Sequence, residues 1–261
     1  MKKKRTKSVK RPESSDGGAV RIQKYLAQVG VASRRAVEEM ILTGQIEVNG
    51  RAVTSLPCFI TPGEDKIVVD GQPISLRRRV EEKVYFLLNK PRNVVCTSRD
   101  PQGRRKAVDY LPPIRQRVYT VGRLDADSSG LILLTNDGEL TQHLTHPSGE
   151  VPKTYIVAVD GSVGEEQLNR LKRGVHLDGR RTGGASVSVE NRGPARTLLR
   201  ITLREGRNRE IRRVLVRLGH KVRRLKRVAI GPITDRGLGV GHVRTLRPRE
   251  VELLRQAGRG E

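Results

Sequence analysis

The sequence predicts an α+β protein in two unequal parts. A small, helix-rich N-terminal domain precedes a larger domain with a mainly antiparallel sheet flanked by helices. Three observations predict this. At 261 residues the chain is long enough for more than one buried core. Up to about residue 75 the pattern is two short amphipathic helices followed by hairpin chemistry; beyond residue 83, short apolar runs bounded by Gly, Pro or charge are interspersed with helical stretches. A charged segment, RRRVEEK over 77–83, divides the two patterns. The expected organisation is a disordered basic arm over 1–18, a small domain over 19–76, a linker over 77–83, a large domain over 84–256 and a tail over 257–261.

The arm holds seven basic residues before Pro12 and no aliphatic periodicity, so it has nothing to bury. Ile22, Leu26 and Val29 then fall on one face of a helix that Gly30 can end. Ser33 can cap a second helix whose Ala36, Val37, Met40 and Ile41 face inward, and Gly44 can end that one. Short strands at 46–48 and 51–53 flank the Asn49-Gly50 turn, and another at 66–69 runs into Asp70-Gly71. In the larger part, 84–88, 131–134, 155–159 and 198–203 read as core strands, and about 139–145, 164–173, 208–218 and 248–256 as helices.

Lys and Arg total 52 against 28 acidic residues, a net charge of +24, which points to a polyanionic partner. Nucleic acid fits better than a membrane surface: no apolar run approaches the roughly 18 to 20 residues needed to span a bilayer, and no basic amphipathic stretch carries aromatic anchors. The opening MKKKRTKSVKRPESSDGG lacks the apolar stretch of a secretion signal, so a cytoplasmic location is expected. Cys58 and Cys96 have no companion ligands at metal spacing and are read as reduced, partly buried thiols. His143 and His146 lie near Asp137 and Glu139, but a peripheral helix end before Pro147 accounts for them, and neither metal nor cofactor is expected.

The segment GRLDADSSGLILLTNDG places Asp125 on a Gly-bounded loop ahead of an apolar strand, a setting that can present a carboxylate to a cleft from a rigid support. Alone, a loop Asp is more often a turn-former.

Two resemblances sharpen this. RIQKYLAQVGVASRRAVEEMILTGQIEVNGRAV resembles the small RNA-binding domain named after a ribosomal small-subunit protein. That resemblance implies RNA contact by Ser33, Arg34, Arg35 and the turn that ends at Arg51. GRLDADSSGLILLTNDG resembles the catalytic signature of the ribosomal small-subunit and large-subunit branch of pseudouridine synthases. YFLLNKPRNVVCTSRD, THPSGEVPKTY and LREGRNREIRRVLVRLGHKVRRLKRV resemble the same branch, so the likeness spans nearly all of 19–256. Within it, the similarity is to enzymes acting on 23S large-subunit ribosomal RNA.

The resemblance implies isomerisation of a ribosomal RNA uridine. Asp125 would be the essential carboxylate, Arg123 would help displace the target nucleotide, and Tyr155 would stack on the uracil. Ile211 would pack beside the base, and Arg212 would pair with Asp125. Asn93 stands where the pattern expects Gly, and Ser128 where Thr is usual; Asn tolerates the left-handed backbone and Ser keeps the hydroxyl.

The reaction itself asks for such groups. The bond from the sugar to N1 breaks, the uracil turns, and C5 joins the same sugar carbon, with no redox change. An ionised carboxylate must attack the sugar or take its proton, and an adjacent arginine keeps it ionised. The base must leave its stack, which calls for an inserted side chain and an aromatic platform. The stretch 196–227 holds 13 basic residues, and most of them, Arg207, Arg209, Arg213 and Arg217 included, are expected on phosphates. The expected partner is ribosomal RNA in a large-subunit precursor, engaged by a monomer. Competing readings are a noncatalytic RNA-binding assembly factor, which leaves GRLDADSS without a task, and a metal-dependent nuclease built on Asp125 and Asp127, which needs more converging carboxylates.

Overall fold

A computed structural model describes residues 18–74 and 82–258. Nearly all of the basic arm, most of the 77–83 linker and the last residues of the tail lie outside these. Backbone contacts divide the chain into two units, Met1–Glu81 and Glu82–Glu261, each described by itself.

In the first unit, β1 (Val20–Arg21) leads into α1 (Ile22–Gln28) and α2 (Arg34–Leu42). The Ser33 hydroxyl caps α2, accepting the Ala36 N–H at 3.1 Å. Next come β2 (Ile46–Val48), β3 (Arg51–Ala52), β4 (Phe59–Ile60), β5 (Ile67–Val69) and β6 (Gln72–Pro73). β3, β2, β5 and β6 form one antiparallel sheet, and β1 pairs with β4. Asn49 at φ 52° and Gly50 at φ 73° make the left-handed turn that joins β2 to β3. Ile22, Leu26, Val37, Ile41, Ile46 and Ile67 close a core between helices and strands.

The second unit comprises β7 (Tyr85–Lys90), β8 (Tyr119–Thr120), β9 (Ser129–Thr135), α3 (Gly138–Thr145), β10 (Lys153–Asp160), α4 (Glu165–Arg173), β11 (His176–Leu177), β12 (Arg180–Arg181), β13 (Ser186–Arg192), β14 (Arg196–Leu203), α5 (Glu210–Arg217), β15 (Val222–Ile230), β16 (Ile233–Thr234), β17 (Val243–Thr245) and α6 (Pro248–Gln256). One sheet runs in the order β13-β14-β10-β15-β9-β7-β17, with β16 beside β15 and β8 beside β9. Every pairing is antiparallel except β15 with β9, which touch only through Lys226↔Ser129 and Arg227↔Gly130. Strands β7 and β9 read as unbroken apolar runs because both faces are covered. Leu87, Leu131 and Leu133 face one core with α3 and α6, while Phe86, Leu88, Ile132 and Leu134 face another. A third core places Val157, Val159, Leu199 and Ile201 under α4 and α5. The sequence reading missed β15, whose VRRLKRVAI looks like solvated charge until its neighbours on both sides are known.

Asp137 ties this unit together. Its buried carboxylate accepts the Glu139 and Leu140 N–H groups at 3.1 Å, the Tyr85 hydroxyl at 2.9 Å and Arg255 at 2.7 Å. Burial works to raise its pKa, but the Leu140 N–H, the Tyr85 hydroxyl and the Arg255 charge outweigh it and hold the carboxyl below its ordinary value. A folded pKa below the unfolded one stabilises the protein above about pH 4, and that contribution fades as pH falls through the folded value. Asp137→Asn is expected to cost about 2 to 3 kcal/mol at pH 7, with the gap to wild type narrowing in acid. Urea unfolding at the two pH values measures this; an unchanged midpoint at pH 7 would remove the network's assigned weight.

Candidate active site

The loop over 121–128 carries Asp125 between β8 and β9, pinned by buried Val121 and Leu124. The segment following β7 braces it from the side. Asn93 adopts the left-handed conformation at φ 64°, and its N–H donates to the Ala126 carbonyl at 2.6 Å, so the missing glycine is replaced without losing the turn. The Cys96 thiol accepts the Leu124 N–H at 3.4 Å, a structural use of that sulfur that spacing alone did not reveal. Beneath them, fully buried Lys90 donates to the Pro91 and Val94 carbonyls at 2.8 Å. Burial brings its pKa down to about 8.

Opposite the loop stands the start of α5. Arg209 holds a left-handed backbone (φ 49°, ψ 31°) just before the helix, and its guanidinium reaches Asp125 at 3.1 Å and Asp127 at 3.4 Å. A non-glycine residue in that conformation is strained, which fits a functional position. Arg212, one turn further, bonds Asp127 at 3.2 Å and the Ser128 hydroxyl at 3.1 Å. The pairing expected between Arg212 and Asp125 is therefore corrected: Arg209 takes Asp125, and Arg212 locks the next two residues of the loop. Residues three apart on a helical turn share a face, so both arginines meet the loop, and only their reach in space decides which carboxylate each takes. Burial raises the Asp127 pKa, yet the Arg209 hydrogen bond and the charges of Arg212 and Arg209 together leave it below the ordinary carboxylate value.

Between loop, helix and sheet opens a cleft of about 640 Å³. Arg123, Asp125, Tyr155, Arg207, Arg209 and Ile211 all line it; Lys153 and Arg227, which the sequence reading did not single out, line it too. Arg212 sits behind the loop. Arg213 is not an open phosphate-facing cation: it ends on Asp178, in the β11–β12 turn. Arg207 bonds Glu205 and the Arg181 carbonyl, each at 3.1 Å, so it too is partly engaged. Arg217 is exposed at the far end of α5, and in the first unit Arg34, Arg35 and Arg51 are exposed. His143 bonds the Ala257 carbonyl at 2.9 Å, and His146 bonds Ser148 at 2.7 Å. Asp125 and Asp127 face arginines, and among the described residues no three metal-ligating side chains converge.

A carboxylate paired with an arginine, in a cationic cleft that also holds an aromatic ring, suits an enzyme that extracts one unit of a polyanion and works on it with acid–base or nucleophilic chemistry. The chain belongs to the RNA pseudouridylate synthase family, whose model matches residues 84–216, and an S4 domain matches residues 20–58. It is 44% identical to the ribosomal large subunit pseudouridine synthase B of Bacillus subtilis (strain 168), over 90% of this chain and 95% of that one. To the protein of the same name in Pseudomonas aeruginosa it is 41% identical, over 90% of this chain and 61% of that one. Among solved structures, a pseudouridylate synthase crystal structure superposes with a TM-score of 0.65 at 29% identity, covering 90% of this chain and 99% of that one. The protein is an RNA uridine isomerase carrying an RNA-binding S4 domain. Among the described residues, no helix is long and apolar enough to cross a membrane.

Proposed function

We propose that the enzyme converts one uridine of ribosomal RNA, in the 23S RNA of a large-subunit precursor, to pseudouridine, with Asp125 as the catalytic carboxylate. The observation that carries this is the Asp125–Arg209 pair at 3.1 Å in the same cleft as the Tyr155 ring. The relatives named for the large ribosomal subunit support the choice of RNA. Asp125 can attack C1′ or remove the C2′ proton, and its pair with Arg209 at 3.1 Å orients the carboxylate in the cleft for either route. Tyr155 stacks on the extracted uracil and buried Ile211 packs against its edge, while exposed Arg123 fills the gap left in the RNA stack. Arg212 acts through the loop, keeping Asp127 and Ser128 in place. Arg207, Arg217, Arg34, Arg35 and Arg51 contribute phosphate contacts. Every group with a role comes from one chain, so a monomer is the proposed working unit, acting in the cytoplasm where ribosomes assemble.

The test incubates the protein with unmodified 23S and 16S transcripts, with and without chelator, and maps pseudouridine by carbodiimide treatment and primer extension. A single new site in 23S RNA, unchanged by chelator, is expected. Modification confined to 16S RNA would overturn the substrate assignment.

A further inference from the structure

The floor of the cleft holds two cations with no anionic side chain paired to them among the described residues. Arg227 is 4% exposed; its Nε donates to the Leu131 carbonyl at 2.7 Å, and one terminal nitrogen is buried without a hydrogen-bond partner. Lys153 donates to the Val151 carbonyl at 3.0 Å. Among the described residues neither makes an ion pair, unlike Arg209, which lines the same cleft, and Arg212. Burial and then the charge of Arg227 bring the Lys153 pKa down to about 8. Both flank Tyr155: Arg227 is its cross-strand neighbour on β15, and Lys153 lies two residues earlier on the same face of β10.

Burying unpaired charge is unfavourable, and apolar side chains would fill the same strand positions at less cost. An anion arriving in the cleft would offset this penalty. Phosphates can be met by the exposed arginines at the rim, whereas the floor beside Tyr155 is where the extracted base lies on the reading above. When the C1′–N1 bond breaks, its electron pair stays with N1 and spreads over O2 and O4 of the ring. C5 then forms its bond to C1′ and releases its proton, and N1 gains one, so nothing is lost overall.

We propose that Lys153 and Arg227 form the pocket that holds the detached uracil as its anion while the ring turns, Lys153 by contact with a ring oxygen and Arg227 as a fixed charge beneath it. This rests on the assignment of Asp125 and Tyr155. It gives the cleft a task beyond breaking the bond, because the free ring must be retained until C5 faces the sugar.

The test uses single-turnover rates on 23S transcripts made with uridine or with 5-fluorouridine, reading C-glycoside nucleosides by chromatography and mass spectrometry after digestion; in the fluorinated product C5 keeps its fluorine, having no proton to release, and water adds across the N1–C6 bond instead. Fluorine withdraws electrons and stabilises the ring anion by itself. Lys153→Met is therefore expected to slow the uridine transcript roughly 100-fold but the fluorinated one only about tenfold or less. Lys153→Arg should restore most of the rate, and RNA affinity should stay within about threefold. The retained turnover of fluorinated RNA shows that the variant is folded; should Lys153→Met not fold, Lys153→Gln makes the same comparison. Equal slowing on both transcripts, or an undiminished rate on uridine, overturns the proposal. Wild-type protein inactive on the uridine transcript would instead remove the reading on which it rests.

Discussion

Asp125→Asn is expected to reduce isomerisation below about 1% of wild type while RNA affinity stays within a few-fold. The amide has the same shape and leaves the loop braced by Asn93 and Cys96, neither of which touches the carboxylate. It can neither attack C1′ nor accept the C2′ proton, so both routes to bond cleavage close together. Affinity should hold because Arg209, freed from its 3.1 Å pair, becomes available to the RNA. Asp127→Asn provides the contrast. Asp127 anchors Arg209 at 3.4 Å and Arg212 at 3.2 Å and has no assigned chemical step, so its loss should slow turnover about tenfold through misplaced arginines. Single-turnover rates and filter binding decide the matter; if the two variants exchange phenotypes, the nucleophile or base has been misassigned.

Gly130→Ala is expected to destabilise the second unit by about 4 kcal/mol or more, lowering Tm by roughly 8 to 16 °C or preventing soluble expression. Gly130 sits at φ 106°, where a side chain is disfavoured, and pairs in parallel with Arg227. A Cβ there would lie 2.5 Å from the Arg227 backbone nitrogen and closer still to its carbonyl oxygen, so backbone would have to move. Only two residue pairs join β9 to β15, and Gly130 is in one of them. Displacing it would part the two halves of the sheet at the edge of the loop that carries Asp125. A soluble variant whose Tm falls by less than about 3 °C would show that the junction can relax, contrary to this account.

Much of this protein was legible in its residues. Charge announced a polyanion, periodicity placed the core helices and the doubly buried strands, Ser33 marked a cap, and Asn93 a left-handed turn. These are local properties, because a cap, a turn or a buried stripe depends on neighbours within a few residues. Motif strings pointed to Asp125 and Tyr155 and to the cleft they share. Tertiary structure alone decided the ion pairs. Arg209, 84 positions after Asp125 in sequence, takes the carboxylate expected of Arg212, and Arg213 is neutralised by Asp178. The 13 basic residues over 196–227 look alike in composition, yet Arg217 meets solvent while Arg227 is buried where it lines the cleft, with no counter-ion among the described residues. Coulombic partnership and desolvation depend on distances between backbones far apart in the chain, so tertiary structure determines whether a charge pairs, meets solvent or lies buried.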